Sequence, residues 1–217
     1  MNTSKDSDIR ITVSRAVLYG TLAKALNPNV SYLCTGTLLK DLNGAIRALP
    51  NFDLTVELKK ISEILGEKKI TSAPLTIEHT RLFIKSVSPP YETYYNVQRA
   101  MSKMHDLADV SAFYAAFGIK PHGEPPDHIV SELEFMSLLC LKEVNAISHN
   151  KSDKAKLCAE IQRKFIKEHL GSWLSLFCKK IQENARLRIY PALANLIHRF
   201  IMLDATYLFQ ADQELAS

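Results

Sequence analysis

Apolar residues recur along most of this chain at three- and four-residue spacing, the period of an amphipathic helix. Between Ser4 and Asn27 the positions Ala16, Tyr19, Ala23 and Leu26 share one face, and Asn27-Pro28-Asn29 stops the pattern. From Val30 to Leu49 the stripe Val30, Leu33, Cys34, Thr37, Leu38, Asp41, Leu42 and Ala45 predicts a second helix. Asp53 stands where it can cap a third, with Leu54, Leu58, Ile61 and Leu65 inward and a stop at Gly66. Further helices are expected from Pro74 to Lys85 and from Tyr94 to Phe117, the latter as one helix or as two broken near Leu107. Two more run from Lys154 to Asn184, with a bend at Gly171, and from Arg188 to Gln210. Strand alternation is scarce and no fixed-period repeat is present.

The stretch from Lys120 to Asn145 differs from the rest. Pro125 and Pro126 lack N–H donors and bias the residues before them toward extended backbone, so the segment opens as a loop. Asp127 then stands at an expected N-cap. Behind it Ile129, Leu133, Met136, Cys140 and Val144 follow helical spacing, and Phe135 to Leu141 is apolar almost all round. A helix with so little polar face is a central one. The loop therefore places Glu124, Pro126, Asp127, His128 and Glu132 at one end of a buried helix. The polar connection Ser148 to Asp153 follows it and is the best hinge candidate.

Length and composition agree with these elements. The chain has 217 residues, 47% hydrophobic and 23% charged, which is ordinary for a globular protein and against disorder. Seven glycines are few, so the expected fold class is all-α, a single-domain bundle of roughly ten helices. The helix content expected is about 70%, far above the usual share. A net charge of +4 is too little to imply nucleic acid. The residues after Lys151 are rich in Lys and Arg, whereas Glu124 to Glu134 is acidic. Cys34, Cys140, Cys158 and Cys178 form no C-x-x-C pair and read as free, buried thiols of a reducing cytosol. The polar start M-N-T-S-K-D-S-D has no apolar signal region, and no apolar run approaches ~20 residues. A cytoplasmic location without membrane insertion is expected.

Each chemical candidate has a plainer alternative. His128 and Glu132 lie four apart on one helix face and, with His122, could ligate a metal. There is no H-E-x-x-H and no third ligand with clear spacing, so no metal, cofactor or catalytic set is expected. Pro89-Pro90 forms a stiff, extended lead into Tyr91 and Glu92. Tyr91 and Tyr94 could roof the core with Glu92 pairing locally; alternatively Tyr91 offers a rigid contact and Glu92 an acceptor for a cationic ligand. Glu78 and Arg81, three apart, read as a surface or semi-buried ion pair, and His169 and Trp173 as core packing. A local acidic, partly apolar site suits a ligand with adjacent arginines and an apolar tail.

Several of these residues lie in motifs. E-P-P-D-H-I-x-x-E-L-E-F-M (Glu124 to Met136) resembles a signature of the TorD/DmsD/NarJ family, cytoplasmic chaperones of molybdenum-cofactor oxidoreductases. E-H-T-R-L-F (Glu78 to Phe83) followed by P-P-Y-E-T-Y-Y (Pro89 to Tyr95) is similar to the family's other signature. H-L-x-x-W (His169 to Trp173) and Y-P-A-L-A-N-L (Tyr190 to Leu196) match weaker patterns in the same order. The resemblance implies a chaperone, not an enzyme, that binds the apo form and the twin-arginine leader peptide of a molybdoenzyme. It implies contacts through Tyr91, Glu92, Glu124, Pro126, Asp127, His128 and Glu132. A monomer is the main form expected, with a dimer swapped across the hinge as a second form. The competing readings are a helical nucleic-acid-binding regulator and a metal-dependent hydrolase. The first requires DNA affinity that falls steeply with salt, and the second lacks any phosphate-cradling glycine loop.

Overall fold

The computed structural model describes residues 3–49, 51–67, 71–96, 103–120 and 123–216. The helices are α1 (Thr3–Ala25), α2 (Ser31–Cys34), α3 (Thr37–Arg47), α4 (Thr55–Gly66), α5 (Ser72–His79) and α6 (Glu92–Tyr95). After them come α7 (Lys103–Ala116), α8 (Ile129–Ser148), α9 (Ser152–Phe165), α10 (Gly171–Asn184) and α11 (Ile189–Ala216). Wide π turns continue α5 over Thr80–Ile84 and join α9 to α10 over Ile166–Leu170. Among the described residues the only extended pairing is an isolated antiparallel bridge between Tyr91 and His128. The fold is all-α, as the periodicity predicts. Residues 97–102 and His122 lie outside the described residues.

The apolar helix is central. Ile129, Leu133, Phe135, Met136, Leu139 and Cys140 of α8 are buried, with α1 packed along one side and α9 along another. The predicted α1 face, Ala16, Tyr19, Ala23 and Leu26, is buried as well. On the far side α11 packs on α10 and α4, and α3 packs on α1.

Some boundaries differ from the sequence reading. The expected helix from Val30 to Leu49 is two, because Gly36 adopts φ 71°, a left-handed backbone that ends a helix at low cost for glycine alone. Cys34 faces solvent beside that break, whereas Cys140, Cys158 and Cys178 are buried; all four are free thiols. The helix around Leu107 is unbroken from Lys103 to Ala116. Asp53 lies one residue before the α4 cap, where its carboxylate accepts from the Thr55 hydroxyl. The bend expected at Gly171 is the π turn just before it. A Cβ on Gly171 would stand 2.5 Å from the Ile166 carbonyl oxygen, so the wide turn itself demands glycine there.

A polar cluster ties four helices together within this apolar interior. Arg15 of α1 is fully buried and donates to Asp204 of α11 at 2.5 and 3.0 Å and to Gln162 of α9 at 2.6 Å. Glu143 of α8 stands 3.7 Å from the same guanidinium, and the Tyr19 hydroxyl donates to Asp204 at 2.7 Å. Removing one partner of such a pair leaves a buried charge uncompensated. Arg15→Met is expected to cost about 3–5 kcal/mol, and Arg15→Met with Asp204→Leu to recover most of it. Urea denaturation of the two variants and wild type measures the difference; equal losses in both variants would refute it.

Candidate functional site

Two loops meet at the N-terminus of α8 and cap each other's helices. The first N–H groups of a helix have no partner within it. The Ile129 amide donates to the Pro90 carbonyl at 2.9 Å, and the Val130 amide to His128 Nδ1 at 3.2 Å. In return the Glu92 amide donates to the Asp127 carbonyl at 2.9 Å. The Thr93 hydroxyl donates to the Asp127 carboxylate at 2.7 Å. The cap of α8 is therefore His128, not Asp127. Asp127 is one residue too early in the chain for α8 and serves the start of α6 instead. The Tyr114 hydroxyl of α7 donates to the Pro126 carbonyl at 2.9 Å and holds the loop from below.

This junction opens onto a narrow pocket. Tyr91, His128 and Glu124 form one wall, and the Tyr91 and His128 rings meet edge to face at 5.2 Å. Leu26, Pro28, Phe83, Ile84, Pro90 and Ile129 supply apolar surface, and His79 closes the end. His79 is held by the Leu26 carbonyl oxygen, 3.0 Å from its Nε2. Of the carboxylates, Glu124 is the one that remains accessible, with its side chain 35% exposed and 3.9 Å from His128 Nε2. Pro126 is half-buried beside it.

Glu92 and Glu132 point the other way, into the protein. Glu132 is fully buried and accepts from Trp173 Nε1 at 3.2 Å. Burial first, and then the neighbouring Glu92, push the Glu132 carboxyl well above the usual carboxylate range. Glu132 Oε1 is buried beside Glu92 without a hydrogen-bond partner. Glu92 in turn accepts from Asn96 Nδ2 at 3.1 Å and meets His169 Nδ1 at 3.2 Å from each oxygen. His128 and Glu132 do not converge as metal ligands, because one faces the pocket and the other the core. His169 and Trp173 are buried as expected, but as polar partners of the two carboxyls rather than as inert packing.

Sequence reasoning missed His79, Phe83 and Ile84 as pocket residues. Two of them lie inside E-H-T-R-L-F, where attention falls on the Glu78–Arg81 pair, which forms with two 2.8 Å hydrogen bonds. Leu26 and Pro28 carry no local signal beyond a helix end.

The capping role of His128 makes stability depend on pH. Burial, and to a lesser degree His79, lower its pKa from 6.5 to about 4. Between those values the unfolded chain binds a proton that the folded chain refuses, so stability falls as pH drops from about 6.5 to about 4. The loss amounts to roughly 3 kcal/mol at most. His128→Asn keeps an acceptor for the Val130 amide but does not titrate. Melting curves across this range are expected to flatten in the variant, with a residual slope from His79, whose pKa burial also lowers. An unchanged profile would remove His128 from this role.

Comparison with known proteins matches residues 50–179 to the family model of the nitrate reductase delta subunit. A chaperone protein TorD of Vibrio cholerae is 28% identical over 170 residues, covering 74% of this chain and 76% of its own. The TorD of Photobacterium profundum is 25% identical over 173 residues, covering 74% and 79%. A selenate reductase assembly chaperone of Thauera selenatis is 36% identical over 96 residues, covering 42% and 49%. Both family signatures, Glu78 to Tyr95 and Glu124 to Met136, fall inside the matched region and build the two sides of the pocket. The chain belongs to the nitrate reductase delta subunit family, the TorD/NarJ chaperones of redox-enzyme maturation, which are not themselves catalysts.

Proposed function

We propose that this chain is a cytoplasmic chaperone that binds the twin-arginine leader, the apo form, or both, of a molybdenum-cofactor oxidoreductase, and holds it until cofactor insertion. The observation that carries this reading is the pocket at the α6–α8 junction. A rigid aromatic, an accessible carboxylate and an apolar floor meet there. Relatives named as assembly chaperones of selenate and chlorate reductases support the client class. Among the described residues no helix is long and apolar enough to cross a membrane.

On this reading Glu124 meets a leader arginine at the lip, and Tyr91, Pro126 and His128 line its path. The apolar residues of the leader enter against Phe83, Ile84 and Ile129. Asp127 holds the two loops in register, and Glu92 and Glu132 brace them from inside. The pocket has room for about one water as it stands, so binding parts Tyr91 from the Leu26–Pro28 side. The chaperone works as a single-domain monomer. Exchange across residues 149–151, where Asn150 takes φ 54°, is its route to a dimer.

Titration of a twin-arginine leader peptide tests the site. Glu124→Gln is expected to weaken binding about tenfold or more, the loss of one charge-assisted hydrogen bond, with the melting point unchanged. Asp127→Asn keeps an acceptor for Thr93 and is expected to weaken binding less. Equal affinities for wild type and Glu124→Gln would take Glu124 out of the site.

A further inference from the structure

His169 has a second face that the pocket does not use. It sits in the π turn between α9 and α10, 3% exposed, with Nδ1 directed at Glu92. With Nδ1 held by Glu92, Nε2 is the ring nitrogen left for another partner. Nε2 has no hydrogen-bond partner and points outward to Asp109 Oδ2, 3.6 Å away on α7. Glu168, the preceding residue of the wide turn, adds a second carboxylate. One potential ligand atom from each of Asp109, Glu168 and His169 lies within 4.8 Å of the others. A buried ring nitrogen without a hydrogen-bond partner, set against two carboxylates, is a place for a cation to complete.

We propose that Asp109, Glu168 and His169 form a binding site for one divalent transition-metal ion, with Nε2 and one oxygen of each carboxylate as ligands. The donor set is an imidazole and two carboxylates, which suits zinc or a neighbouring first-row ion, with water completing the shell. Glu92 supplies the carboxylate behind the histidine that orients metal-bound imidazoles. Bonds of ~2.0–2.2 Å require the ligands to close in on the ion. The two carboxylates are exposed and free to rotate, while the imidazole is already fixed. The Lys164 ammonium, 3.8 Å from Glu168, is an exposed partner on the same helical run and yields at little cost. A bound ion ties α7 to the α9–α10 bend. Because Tyr114 of α7 holds the Pro126 carbonyl, the ion also steadies the loop that lines the leader pocket.

Zinc titration of the full chain, free of any histidine tag and stripped with chelator, tests the site by calorimetry and by metal content after dialysis. One zinc per chain and a raised melting point are expected. Asp109→Asn with Glu168→Gln is expected to weaken binding by more than about a hundredfold, beyond the loss typical of a supporting residue, without moving the metal-free melting point. Either single substitution is expected to weaken it about tenfold. Failure of wild type to bind zinc, or binding that survives the double substitution, would overturn the proposal.

Discussion

A guanidinium buried without any exposed surface constrains everything around it. Burial alone would lower the pKa of Arg15, but Asp204 and the other groups around it together outweigh it and hold the group above its usual value, so the charge persists. A buried charge of this kind tolerates no sliding of its partners. Arg15 belongs to α1, Glu143 to α8, Gln162 to α9 and Asp204 to α11, so one side chain sets the register of four helices. Gln162 also donates to Glu143 at 2.7 Å and accepts from Cys140, which closes the polar cluster on itself. The Arg15 cluster is thus one polar contact shared by all four helices.

The site depends on that register, because its two loops arrive from different parts of the bundle. Residues Pro89 to Thr93 come off the end of the π turn after α5, held by the Ser88 amide on the Leu82 carbonyl and the Ser88 hydroxyl on the Lys180 carbonyl. Residues Glu124 to His128 come from the end of α7. Each loop spends its polar groups on the other's helix start, which leaves Tyr91, Glu124 and His128 facing outward. The two buried carboxyls stand behind, joined to His169 and Trp173. The acidity read in the sequence therefore divides into an outward carboxylate, a structural one and a buried pair.

Both π turns carry motif residues. Thr80–Ile84 contains Arg81, Leu82 and Phe83, and Ile166–Leu170 contains His169. An extra residue in a helical turn re-aims the side chains that follow it. In the first turn it lets Arg81 reach the Asn184 carbonyl at 2.6 Å while Phe83 still faces the aromatic core beside Phe177 and Tyr190. In the second it turns His169 toward Glu92 while Glu168 stays at the surface. The common effect is one turn serving two faces.

The all-α class, the central place of α8 and the buried faces of α1 and α3 were legible from spacing alone, because helical periodicity and burial are local properties of the chain. So was the Glu78–Arg81 pair, three residues apart. Resemblance in the two signatures pointed to the family and to the two loops that meet at the start of α8. The role of each carboxyl was not legible. Which of Glu92, Glu124, Asp127 and Glu132 faces solvent depends on whether a second segment, distant in sequence, supplies a donor. The cap of α8 shifted by one residue from Asp127 to His128 because the Thr93 hydroxyl, 34 positions upstream, claims Asp127. His79 and Phe83 entered the pocket wall for the same reason. Local pattern determined the helices, and contacts between segments far apart in the chain decided which of their polar groups remain free to act.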